Sequence, residues 1–99
     1  MLLIAWRFEP AAGREAEFVR AYGPEGEWAR LFMRGPGYLG TELLRERGHP
    51  RRWLTIDRWR TAAEHEAFAR EHAADYAALD ARCEALTAHE DRIGEFEGS

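Results

Sequence analysis

The sequence predicts an α+β fold of ferredoxin-like order, βαββαβ, in which a four-stranded antiparallel sheet carries its helices on one face. Three observations lead there. LLIAWRFEP and RRWLTIDRW alternate in the way strands do. REAEFVRAY, EWARLFMR and the stretch after Thr61 repeat their apolar residues at helical spacing. Glycine and proline fall between these segments, at Pro10 and Gly13, Gly23 to Gly26, Gly35 to Gly37, and Gly48 to Pro50. At 99 residues the chain reads as one domain, residues 1–99, of a size at which a single core is limited and a partner subunit helps.

The first strand places Ile4, Trp6 and Phe8 on one side and Leu3, Ala5 and Arg7 on the other, both sides mainly apolar. The first helical region carries Phe18, Val19 and Tyr22, breaks at GPEG, and resumes with Trp28, Leu31 and Phe32, so two pieces meeting at Gly23 to Gly26 are expected. RGPGYLGTELLRE begins as a turn and continues as a strand; GHP separates it from RRWLTIDRW, and the two should form an antiparallel hairpin. Thr61 and Glu64 have capping-box spacing, so a long helix should begin near Thr61 and run to about Leu86. AHEDRIGEFEG then closes the sheet as a more polar strand containing Ile93 and Phe96. Strands that are apolar on both faces call for a cover on the side away from the helices, and a second copy of the same sheet supplies one. A homodimer through the open sheet face is therefore expected.

Composition narrows the chemistry. With 45% hydrophobic and 32% charged residues the chain should be globular, and its net charge of -4 with scattered arginines argues against a nucleic-acid partner. No apolar run approaches the roughly 20 residues of a membrane span. MLLIAW reads as a strand and not as a secretory signal, which favours the cytoplasm. Cys83 is alone and reads as a small core residue. There is no lysine, asparagine or glutamine, and the only serine is Ser99, which excludes a Schiff-base lysine and a rigidly held serine nucleophile. No glycine-rich phosphate cradle follows a strand.

The stretch HEAFAREHAADY, residues 65 to 76, carries the polar groups of interest. On a continuous helix His65, Phe68, His72, Tyr76, Leu79, Cys83 and Leu86 fall on one stripe facing the sheet. Seven residues of helix separate His65 from His72 by about 10 Å, too far for a shared ion, and the H-E-x-x-H spacing is not met. No metal and no cofactor are expected. His72 is the candidate base, with Tyr76 one turn on and Asp75 within reach of its imidazole. Trp6, Trp28, Trp53 and Trp59 with Tyr22 and Tyr38 supply the aromatic surface of a flat pocket for a ring-shaped ligand, and Trp6, Phe18, Tyr22, Trp28, Trp59, His65 and Phe68 are the candidate substrate-binding residues. Asp57, between Ile56 and Arg58, would need a partner if buried; Arg58 faces the other way, so an arginine or histidine elsewhere should serve.

The strand order, the strand RRWLTIDRW leading into a capped helix, and AFAREHAADY after it resemble the antibiotic-biosynthesis monooxygenase superfamily of dimeric α/β barrels. The resemblance covers nearly the whole chain; Trp59, Thr61, Ala63 and His72 are similar to its tryptophan-to-histidine stretch. It implies either an oxygenase of the kind that modifies polyketide quinols without metal or flavin, or a relative of the haem-degrading members. The asparagines these groups use are absent here: Trp6 stands at the first-strand position, Phe68 where haem-degrading members have tryptophan, and Ala78 near their haem-ligating histidine. The expected function is a cofactor-independent monooxygenase, or related proton-transfer enzyme, acting on a small phenolic or enolic compound. His72 would be the base, with Tyr76 and Tyr22 orienting the ligand. The alternative is a non-catalytic dimeric module that binds a small metabolite or haem.

Overall fold

Alternation along LLIAWRFEP produces an inner strand, β1 (Leu2–Pro10), whose residues Leu2, Ile4 and Phe8 are buried beneath the helices. The structure is a computed structural model and describes residues 1–98. After β1 come α1 (Glu15–Tyr22), α2 (Glu27–Phe32), β2 (Tyr38–Arg45), β3 (Trp53–Trp59), α3 (Ala62–Glu71), α4 (Ala73–Cys83), a 3-10 turn at Glu84–Leu86, and β4 (Thr87–Glu97). The sheet order is β2-β3-β1-β4, with each neighbouring pair antiparallel. This is the predicted ferredoxin-like α+β arrangement, including the hairpin and the two-piece first helical region.

Phe18, Tyr22, Trp28, Leu31, Phe32, Phe68, Leu79 and Cys83 descend from the helices onto Leu2, Ile4, Phe8 and Trp59 of the sheet. Phe18 is 0% and Trp59 1% exposed, and full burial of side chains of this kind stabilises by about 1.5–3 kcal/mol each. On the opposite face Leu44 and Phe96 remain exposed beside the Arg58–Glu42 ion pair. No helix of the described residues is long and apolar enough to cross a membrane.

Two details differ from the sequence reading. The helix expected from Thr61 to Leu86 breaks at His72, which has φ -114° and ψ 23° and closes α3 while opening α4. His72 still donates its backbone N–H to Phe68, and its carbonyl accepts from Tyr76, so the chain turns without losing either bond. The capping box is only half formed. Thr61 Oγ1 accepts from the Glu64 N–H at 3.2 Å, but the Glu64 carboxylate takes the Arg60 guanidinium and the Thr61 hydroxyl in place of the capping residue's backbone. Gly37, with φ +92°, makes room for that carboxylate, because a Cβ there would lie 2.5 Å from the Glu64 carboxyl carbon.

Candidate active site

The period-two alternation of WLTIDRW sends Thr55, Asp57 and Trp59 to the helix side of β3, and all three are buried. Thr41 of β2 lies directly across from Asp57 in the antiparallel register. Its hydroxyl donates to Asp57 Oδ1 at 2.6 Å, and Tyr38 Oη lies 2.5 Å from Thr41 Oγ1. The order of donors follows from the carboxylate, which can only accept when ionised: Thr41 gives its one proton to Asp57, so Tyr38 must donate to Thr41. Among the described residues Asp57 Oδ2 has no hydrogen-bond partner. In place of the arginine or histidine expected as partner for this carboxylate, the structure supplies one neutral hydroxyl, that of Thr41, which is itself bonded to Tyr38. Burial, with 8% of Asp57 exposed, pushes its carboxyl up to about 6, and the Thr41 bond only partly offsets that.

Two cavities meet at this carboxylate. The first, of 240 Å³, is walled by Trp6, Phe8, Tyr22, Trp28, Phe32 and Tyr76, with Thr41, Thr55 and Asp57 on its floor and Asp80 and Glu90 completing the lining. The second, of 310 Å³, lies under α3 between Ile4, Trp59, His65, Phe68, Ala69, Ala73 and Arg92. Trp6, Phe32, Asp57 and Tyr76 belong to both. The rings interlock: Tyr76 stands edge-on to Trp28 at 4.9 Å, Phe32 edge-on to Phe68 at 5.5 Å, and His65 edge-on to Trp59 at 5.3 Å. Burial raises the phenols of Tyr22 and Tyr76, so both keep their protons and can donate to a ligand. Burial also raises Glu90 and lowers His65, which favours a neutral imidazole in the second cavity. Among the described residues no group of three or more His, Cys, Asp or Glu side chains converges in a way that could hold a metal ion.

The residues marked in the sequence distribute unevenly. Trp6, Tyr22, Trp28 and Tyr76 line the first cavity; Trp6, Trp59, His65, Phe68 and Tyr76 line the second. Phe18 lines neither. It is sealed in the core, stacked on Tyr22 at 4.6 Å and tilted against Phe8 at 5.5 Å. His72 also lines neither cavity. The break in the helix places its imidazole against Phe68 at 5.1 Å, with 21% of the side chain exposed. Its Nδ1 is 3.8 Å from Asp75, beyond hydrogen-bond range, and Asp75 instead accepts from Arg34 at 3.1 Å on the surface. Asp57 and Thr41 hold a polar centre that the sequence reading does not place in the site, and Tyr38, expected there only as aromatic surface, joins them through its hydroxyl. The signal was partial: Asp57 stands at an inward position of a strongly alternating strand, but nothing in TELL marks Thr41 as its partner.

Residues 1–79 match the family model described as antibiotic biosynthesis monooxygenase. No curated protein matches the chain. Among solved structures it is similar to SnoaB, a cofactor-independent oxygenase from Streptomyces nogalater, at 22% identity and TM-score 0.70 over 99% of this chain and 92% of that one. It is also similar to a mutant of MhuD with two manganese protoporphyrin IX bound per active site, at 22% identity and TM-score 0.72 over 99% and 94% of the two chains. An uncharacterized NIPSNAP domain protein from Burkholderia xenovorans aligns at 17% identity and TM-score 0.72 over 100% and 95%. At these identities the likeness is one of fold.

Proposed function

The chain belongs to the antibiotic biosynthesis monooxygenase family, and from that premise we propose that it oxygenates a small phenolic or enolic compound held in the cavity between helices and sheet. The observation that carries this reading is Asp57: a buried carboxylate, raised to about 6, facing an aromatic cavity with one oxygen free. A general base is most effective when its proton affinity lies near the working pH. An arginine partner would hold the carboxylate far below that range; the Thr41 hydroxyl leaves it basic. The aromatic walls accept a planar ring, and the Tyr76 and Tyr22 phenols can donate to its oxygens.

The chemistry needs no bound cofactor in this reading. Asp57 Oδ2 takes the acidic proton, and the resulting enolate or phenolate is electron-rich enough to reduce dioxygen directly. Oxygen adds at the activated carbon, the peroxide anion takes back the proton held by Asp57, and loss of water from the hydroperoxide leaves a carbonyl. A CH₂ carbon is thus oxidised to C=O while one oxygen atom is incorporated and the other leaves as water. Exclusion of bulk water protects the anion from reprotonation. SnoaB, described as a cofactor-independent oxygenase, supports the same choice by its shared fold. The open sheet face, with Leu44 and Phe96 exposed, is closed in this reading by a second copy.

Oxygen uptake with a panel of anthrones and quinols tests the assignment. Asp57→Asn should lower turnover by about 10²-fold or more. Full activity in that variant together with loss in His72→Ala would return the base to His72. Absence of uptake with every member of the panel would refute the oxygenase reading.

One observation favours the binding-only alternative. Haem requires a single imidazole and an apolar slot, and His65 offers an imidazole kept neutral by burial among Trp59, Phe68 and Ala69. The residues fit such a group in kind: His65 would supply the ligand and the aromatic walls the slot. A Soret shift on haem titration that His65→Ala abolishes is the result this alternative requires.

A further inference from the structure

We propose that Thr41 and Tyr38 are positioning residues for Asp57, a two-hydroxyl chain that clamps Oδ1 against the sheet and leaves Oδ2 alone to meet the ligand's acidic proton. The inference rests on Asp57 being the base proposed above, but the clamp can be tested without any ligand.

The chain exists because of a backbone irregularity. In a regular strand residues three apart face opposite sides, so Tyr38 and Thr41 should not share a face. The β2 register shifts between Tyr38, which pairs with Trp59, and Gly40, which pairs with the next residue, Arg58. Two residues of β2 thereby stand opposite one step of β3, and the extra residue returns Tyr38 to the side of Thr41. Gly40 has φ +136°, a conformation that side-chain-bearing residues rarely adopt, while a Cβ there would meet nothing within 4 Å. The glycine is thus needed for its backbone and not for space. A bulge that re-aims a side chain beside a functional carboxylate is a recurring use of this irregularity.

The direction of the chain suits proton transfer. When Asp57 is ionised, Tyr38 donates to Thr41 and Thr41 to Oδ1. When Oδ2 has taken a proton, Oδ1 still accepts from Thr41 and neither hydroxyl has to turn. The carboxyl is held in the same pose before and after the transfer, which is the preorganisation that efficient catalysis favours. Other titratable or charged groups around the two cavities are Tyr22 from α1, His65 from α3, Tyr76 and Asp80 from α4, and Glu90 and Arg92 from β4. Among the described residues none of these is hydrogen-bonded to Asp57; Thr41 alone is.

Carboxyl-carbon NMR of aspartate-labelled, ligand-free protein reads the Asp57 titration directly. Thr41 bonds the ionised form, so removing its hydroxyl should make the carboxyl hold its proton to higher pH. Thr41→Val is expected to raise the Asp57 midpoint by about one pH unit, a tenfold change in proton affinity. Thr41→Ser should restore it, and Tyr38→Phe should move it the same way by less. The pH–rate profile of oxygen uptake should follow these midpoints. If folded Thr41→Val and Tyr38→Phe both titrate as the parent does, the clamp is refuted. If the midpoints move as stated while the parent consumes no oxygen with any anthrone or quinol of the panel, the clamp stands and the oxygenase reading falls.

Discussion

Replacing Asp57 by asparagine should make the protein more stable at neutral pH, and by an amount that depends on pH in a definite way. The carboxyl is raised to about 6 in the fold, against 3.8 for an unperturbed aspartate, chiefly because it is buried. A folded state that holds a proton more tightly than the unfolded chain is favoured at low pH and loses that advantage as pH rises from about 4 to 6. Above that window the folded protein carries the whole cost of a buried charge. The two values lie about 2 pH units apart, which at 1.36 kcal/mol per unit is about 3 kcal/mol. Asparagine is nearly isosteric, and its carbonyl oxygen can still accept from Thr41 without ionising. Asp57→Asn should therefore gain up to about 3 kcal/mol at pH 8, and the difference should shrink towards zero below pH 4. At roughly 4–8 °C per kcal/mol for a domain of this size, the gain in Tm is up to about 12–24 °C. Urea titrations of both proteins at half-unit steps from pH 3.5 to 8 measure it. An advantage independent of pH, or a variant less stable at pH 8, would refute the account of Asp57 as a destabilised, functionally retained charge.

Three further outcomes can be checked. Phe18→Ala removes a side chain with no exposed surface and should cost about 3–5 kcal/mol in denaturant unfolding, a structural effect consistent with its position outside both cavities. His72→Ala should change oxygen uptake by less than about threefold, since its imidazole lies at the helix break, stacked on the wall residue Phe68, and itself lines neither cavity; a loss on the scale of a general base, about 10²-fold, would contradict that placement. Ile56→Arg puts a charge in the middle of the open sheet face, beside Ala5 and Glu42 in the register, and should shift sedimentation towards the monomer without unfolding the chain.

Periodicity disclosed the fold because each strand and helix buries one side on the same core, so its apolar pattern repeats the geometry. The same logic failed where geometry departs from its period. Nothing in AFAREHAAD contains a breaker, and a straight helix would have kept His72 and Tyr76 on the stripe of Phe68, Leu79 and Cys83; packing onto the sheet buries the latter three and leaves His72 at the junction. The bulge at Gly40 is hidden for a related reason. Strict alternation puts Tyr38 and Thr41 on opposite faces, so a reading that trusts alternation separates the residues that the structure joins. The walls were more accessible: of the candidate ligand-binding residues, Trp6, Tyr22, Trp28, Trp59, His65 and Phe68 border one cavity or the other, and Phe18 borders neither. Asp57 was visible as a charge in need of a partner, but the nature of that partner, a hydroxyl and not a cation, depends on tertiary register that no local pattern carries.

The break at His72 divides the roof over the sheet into two separately hung panels. α3 contributes side chains to the second cavity alone, while α4 spans the first and reaches the shared wall through Tyr76. Of the α3 side chains in the second chamber, Phe68 packs edge-on against the shared wall residue Phe32, whereas His65, packed on Trp59, touches the second chamber alone; a substitution at His65 can thus reshape that chamber by itself, and the carboxylate between the two keeps its anchorage in the sheet. A descendant chain could exchange the molecule it accepts by altering a ten-residue helix, with Asp57 and the strands that hold it inherited unchanged.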